Sequence, residues 1–209
     1  PISGKGKINT KGDVIIANKA EIIKGSDISI YNESGKITVQ NEGSLNGANL
    51  FLSNTATLNT VNGSIGTISL KSLSSENSNI NIDLDLKKNI SDKIQAETST
   101  GAGLNVAKVN LISNSISPVT VNIGEGSEVK TMTATKAETA EATYKLKASL
   151  DSNGNLVATA YGQKAEPCTM AAPVAAQLGG YLTQINSYDQ AFMNMDMVMT
   201  QTLEERKAE

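Results

Sequence analysis

The 209-residue chain has no histidine and no tryptophan, two phenylalanines, one cysteine and four prolines. Without His, neither a Ser-His-Asp nor a Cys-His nucleophile can be assembled, and imidazole metal sites are excluded. The lone Cys168 has no second thiol to pair with in the chain, and one cysteine says nothing about redox compartment. It reads as incidental rather than reactive, because no cationic His stands beside it to lower its pKa. Arginine occurs once, at Arg206. Aromatics make up 3% of residues, so the core has to be aliphatic. A formal net charge of −3 gives no electrostatic case for nucleic acid or an acidic membrane. No apolar run approaches the roughly 18 residues of a membrane-spanning helix, and no signal peptide opens the chain. It starts at Pro1, not Met, and reads as cut from something longer at both ends. Phosphate-cradling, dinucleotide, CxxC, HExxH and GxSxG patterns are all missing, and Gly4-Lys5-Gly6-Lys7 reads as a flexible end.

What is present is one theme repeated from Ile8 to about Leu86. Short aliphatic strands (VIIANKAEII, DISIYN, KITVQNEGSL, ANLFLSN, GTISLKSL, NINIDLDL) alternate with Asn, Gly, Ser and Thr. A sandwich, a barrel or a solenoid would all fit. The solenoid is favoured by recurrence at roughly twenty residues, comparing Ile28/Ile30, Leu50/Leu52 and Ile68/Leu70. Scarce aromatics and Asn/Gly corners point the same way. A single coil cannot bury its inward aliphatic row, whereas a stack can. The expected fold is mainly β: a right-handed parallel β-helix closed by a hairpin and followed by a long helix.

The clearest strand is Asn79 to Leu86. Ile80, Ile82, Leu84 and Leu86 face the core, with Asn79, Asn81, Asp83 and Asp85 on the opposite face. Asp83 and Asp85 lie about 7 Å apart at strand spacing, which allows a general acid/base pair or half a Ca²⁺ site. The polar outer face of a strand is the favoured explanation, with Lys87 and Lys88 beside them for charge balance, and no catalytic, cofactor or metal residue is assigned.

Lys93 to Thr100 reads as a polar loop. Leu104, Val106, Val109, Leu111, Ile112 and Ile116 resume strand character, and Val119, Val121 and Ile123 alternate after Pro118. Gly124 to Thr143 carries little pattern. Tyr144 to Tyr161 is a hairpin, with YKLKASL and LVATAY flanking Asp151-Ser152-Asn153-Gly154-Asn155. That turn imitates a Ca²⁺ loop, but Gly154 is misplaced and Gly162 stands where a bidentate Glu belongs. The division is 1–103 coils, 104–164 closing region with hairpin 144–161, 165–172 connector and 173–209 helix. The sequons at Asn32, Asn62 and Asn89 are expected by chance in so Asn- and Ser-rich a chain.

The tail changes period. Val174, Leu178, Tyr181, Ile185, Tyr188, Phe192, Met195 and Met199 step by fours and threes, an a/d seam on one helix. Pro173 suits its first position, and a continuous Pro173–Glu209 helix would be about 55 Å long. Gly179-Gly180 marks a weak point in it.

The string AAPVAAQLGGYLTQINSYDQAFMNMDMVMTQTLEER, Ala171–Arg206, resembles the junction of bacterial type V autotransporters. The likeness rests on Asn186, Tyr188, Phe192 and the Met-rich end. It implies a surface-displayed passenger, a capped and early-folding passenger end over roughly Leu104 to Tyr161, and a linker helix inside an outer-membrane β-barrel. The barrel would follow Glu209 and be the helix's partner. Gln184, Asn186, Ser187, Asp189 and Asn194 suit a wet lumen rather than lipid. The implied role is a non-enzymatic stalk and folding end-piece of an adhesin-like protein, with a surface ligand and no nucleic-acid partner. Two alternatives remain: a polysaccharide-acting β-helix enzyme with its site in upstream coils, and a self-assembling surface or phage fibre.

Overall fold

The computed structural model describes residues 1–162, apart from 18, 41, 42, 54, 116, 117, 140 and 141. The stretches read as a helix, 173–209, and as a connector, 165–172, lie outside the described residues, as do Cys168 and Ile116.

The chain winds into about five turns of a parallel β-solenoid. Each turn contributes one strand to each of two sheets. The first holds β1 (Lys5–Thr10) and β2 (Val14–Ile16); the second, β3 (Asp27–Asn32) and β4 (Lys36–Val39). The third holds β5 (Ala48–Leu52) and β6 (Thr57–Asn59), and the fourth β7 (Thr67–Ser75) and β8 (Ser78–Asp85). A short β9 (Ile90–Ser91) turns back antiparallel on β8 before the fifth turn, β10 (Lys93–Gly101) and β11 (Leu104–Ser113). One sheet runs β1-β3-β5-β7-β10; the other runs β2-β4-β6-β8-β11 and gains β13 (Val129–Met132) at its end. The remaining strands, β12 (Val119–Asn122), β14 (Lys136–Glu138), β15 (Thr143–Leu150) and β16 (Leu156–Gly162), form an antiparallel sheet ordered β12-β16-β15-β14.

Alternation within each strand explains the stack. Every second side chain points inward, and parallel pairing places like side chains over one another. Val14, Ile37, Leu58, Ile80, Val106 and Met132 form one such row across six strands. Ile37, Leu58, Ile80 and Val106 are fully buried, while Val14 and Met132, covered on one side only, are partly so. Ile8, Ile30, Leu50 and Leu73 make the matching row of the first sheet. The antiparallel sheet adds Val121, Ile123, Tyr144, Leu146, Leu156 and Ala160 to the same core. Its hairpin turns at Gly154, whose φ of +80° suits glycine, and the Tyr144 hydroxyl donates to the Ser115 carbonyl at 3.0 Å.

Several expectations change. Lys93 to Thr100 is strand β10, not a loop: its backbone pairs with β7 although only Ile94 is buried. Lys5 to Lys7 belong to β1 rather than a loose end, and β13 and β14 occupy the stretch that carried little pattern. The boundary drawn at 103 falls inside the fifth turn, because β11 pairs with β8 in solenoid fashion. The repeat is longer than the compared pairs implied. Ile30 stacks on Leu50 and Leu50 on Leu73, while Ile68 and Leu70 belong to the next step, beside Ile94 and Ala96.

Turns close tightly at certain corners. A methyl group on Gly47 would run into the Ile23 carbonyl oxygen of the preceding turn. Gly101, at φ +94°, stands in the same relation to Ser75.

Candidate functional site

Among the described residues, chemistry-bearing side chains gather in more than one place on the outside of the coils. One surrounds Asp83 and Asp85. Both face away from Ile80, Ile82 and Leu84, as alternation requires, yet neither is a solvent-facing residue: they are 0% and 4% exposed. The face is covered by segments distant in sequence. The loop from β6 to β7 crosses over it, and its backbone donors have no strand to pair with. Asn62 and Gly63 N–H groups donate to Asp83 Oδ2 at 2.8 and 2.9 Å, and the Asn110 amide donates to Oδ1. Asp85 Oδ1 accepts from the backbone of Lys87 and Lys88 at 3.1 and 3.0 Å and from the Ser113 hydroxyl. The expected neutralisation by lysine is therefore mostly made by backbone, with Lys88 Nζ at 3.8 Å from Asp85 Oδ2. The Ser113 hydroxyl, helped by the two backbone donors, holds the Asp85 carboxyl below its ordinary value against the effect of burial.

A third buried carboxylate, Asp92, completes this corner. Its Oδ2 accepts from the Thr60 hydroxyl at 2.7 Å and Asp83 N–H at 2.8 Å, and its Oδ1 from Gly66 N–H at 2.9 Å. Burial pushes the Asp92 carboxyl up despite these donors, and the Asp83 charge acts in the same direction. It lines a cleft of about 210 Å³ with Thr60, Asn62, Ser64 and Gly66. A raised carboxyl in a cleft is the general pattern of an acid catalyst. Here its oxygens are taken up by donors of the protein itself. The arrangement ties loop 60–66 to β8 and satisfies the Asp83 N–H, a buried backbone donor that would otherwise be unpaired. No group of three or more acidic or sulfur ligands fit for a metal occurs among the described residues. No local pattern marks Asp92, whose partners lie 9 to 32 residues away.

The hairpin turn is likewise a hydrogen-bond cage. Asp151 Oδ1 accepts from Asn153 and Asn155 N–H at 2.8 Å, and Oδ2 from the Asn122 and Asn155 amides at 3.0 and 3.2 Å. The Asn155 backbone leads the donors that lower the Asp151 carboxyl.

The second place is open. On the outer face of the first sheet, Asn9, Tyr31, Phe51, Ser74 and Thr100 occupy one row. The Tyr31 and Phe51 rings stack with centroids 4.1 Å apart and planes 4° from parallel. Lys7 Nζ lies 4.2 Å from the centroid of Tyr31. A groove of about 570 Å³ runs beside this stack, lined by Asn9, Lys11, Glu33, Ser53, Ser74 and Glu76 among others. Lys11 and Glu33 pair at 2.9 Å, and this contact raises the Lys11 amine. The Glu76 carboxylate has no partner among the described residues. Sequence reasoning missed this site, although Tyr31 and Phe51 both stand next to last in equivalent strands, DISIYN and ANLFL.

Comparison with known proteins brings no family model that matches the chain and no match among curated proteins.

Proposed function

We propose that this chain is the membrane-proximal end of a surface-displayed passenger, a right-handed β-helix held outside the cell by a barrel that the 173–209 helix enters. The observation that carries the proposal is a pair of neighbours in one sequence. A parallel β-solenoid ending in an antiparallel sheet precedes the string Ala171–Arg206, with its a/d seam and its resemblance to autotransporter junctions. The right hand follows from the general preference of parallel strand crossovers. The role is mechanical: a stalk that displays coils, and a folding end-piece whose antiparallel sheet shields the last parallel edge from pairing with other chains. Adhesion or surface interaction is the activity of the whole. Hydrogen bonding that consumes Asp83, Asp85 and Asp92 supports a non-catalytic role for this segment.

The coding sequence beyond Glu209 tests this directly. About ten or more segments of alternating hydrophobicity, each about ten residues long and girdled by aromatics, are expected. A stop codon within a few residues would overturn the proposal. The fibre reading makes a different prediction: a stable dimer or trimer of residues 165–209 by analytical ultracentrifugation, where the linker reading expects an isolated tail that is poorly ordered without its barrel.

A further inference from the structure

The outer aromatic stack has two unlike ends. At one, the Lys7 ammonium covers Tyr31. At the other, the row continues from Phe51 to Ser74 and then Thr100, so the far face of the Phe51 ring has no ring above it among the described residues. Side chains shrink here while the backbone rises by one rung, about 4.8 Å. The result is a step: a vertical aromatic face, a floor of small hydroxylated side chains, and at the rim a carboxylate, Glu76, without a partner among the described residues.

We infer that this step and the groove beside it bind a neutral oligosaccharide, one ring standing on Phe51 as the missing rung of the stack. A pyranose offers an apolar C–H face to an aromatic ring and a rim of hydroxyls that both donate and accept. The lining matches that mixture. Glu76 accepts only, Lys11 donates only, and Asn9, Ser53 and Ser74 do both. Lys11 is already neutralised by Glu33, so the groove presents one uncompensated charge and no strong field to draw an ionic ligand. An extended peptide fits less well. At the step itself the backbone of β3, β5 and β7 is paired on both sides, so a strand could be added only along β1, at the Lys7 end of the stack and away from the open Phe51 face. Asn32, 1% exposed, forms part of the same lining, and its Oδ1 has no hydrogen-bond partner among the described residues.

This deepens the surface-display reading by naming a ligand class, and the two fail separately: the groove lies on the described coils, whereas the display reading rests on the coding sequence beyond Glu209. The test uses the whole 209-residue chain, with saturation-transfer NMR against the hexasaccharides of β-1,4-glucose, α-1,4-glucose and β-1,4-N-acetylglucosamine. At least one is expected to bind at about millimolar affinity or tighter. Ser74→Tyr, which fills the step from an outward-facing position, is expected to weaken that binding by about tenfold or more with the melting temperature held or raised. Glu76→Gln is expected to change it by only a few-fold. Absence of binding by all three sugars overturns the inference, as does binding that survives Ser74→Tyr. An arginine-rich peptide that competes at the step, and is lost in Glu76→Gln, assigns it to a cation and overturns the saccharide.

Discussion

The acidic corner at Asp83 and the step at Phe51 lie on the outsides of the same coils and are built from similar residue types, yet they have opposite character. At the corner, a crossing loop excludes water, and both oxygens of Asp83 and of Asp92 accept from protein donors. At the step, among the described residues, no segment crosses, the Glu76 carboxylate has no partner and an aromatic face is left open. The difference teaches how to sort polar residues in a solenoid. A carboxylate saturated by its own backbone belongs to the fold; one left beside an uncovered ring is available to something else.

The contrast can be pressed from its strongest consequence down. Ile82 is 1% exposed and stacks against Val109, directly behind the corner. Ile82→Asp should cost about 4 kcal/mol or more by burying an uncompensated charge, read as lost stability in urea. Asp83→Ala should cost about 2–4 kcal/mol, since it strands the Asn62 and Gly63 N–H groups and the Asn110 amide. At the step, Glu76→Ala should move stability by no more than about 0.5 kcal/mol. An equal loss at both positions would erase the distinction.

Acid sharpens it further. Asp92 has a raised carboxyl in the fold, so its protonated form is favoured there; its contribution is fully present below the unfolded value and lost as pH rises through the folded one. Asp85 and Asp151 are lowered, so theirs is present above the unfolded value and lost as pH falls through the folded ones. On titrating from pH 7 towards about 4, where free carboxyls begin to protonate, the wild type should gain stability relative to Asp92→Asn. Below that, both should weaken as Asp85 and Asp151 lose their charge. Denaturant midpoints across pH check this, and parallel curves for the two proteins would remove Asp92 from the account. Neutralising Lys11 at the groove should have the smallest effect of all, because its pair with Glu33 is largely exposed and screened.

Much of the architecture was legible because the inward rows are aliphatic and alternate cleanly. NINIDLDL alone orients β8, and Asn-Gly marks the hairpin. Register was not legible. Leu50 is compatible with either Ile28 or Ile30 by type, and only the variable corner lengths decide which neighbour it meets. Strand β10 was hidden because its pairing is carried by backbone while its side chains, Ile94 apart, stay in water or half covered. Alternation found the face of Asp83 and Asp85 but not their burial, which depends on segments 60–66 and 87–92 folding over them. The step at Phe51 was invisible for a similar reason: it is made by a small residue, Ser74, meeting a large one across 23 positions.

Corner glycines such as Gly47 set limits on how this architecture can vary. Successive turns pair residues 22, 20, 23 and 26 apart along the first sheet, so chain length per turn is a loose variable, absorbed by excursions that leave the aliphatic rows undisturbed. Side-chain volume at the tight corners is a strict one, because a methyl there wedges two floors apart. Diversity in such a molecule is therefore expected to accumulate as insertions rather than as replacements at the hinges between floors.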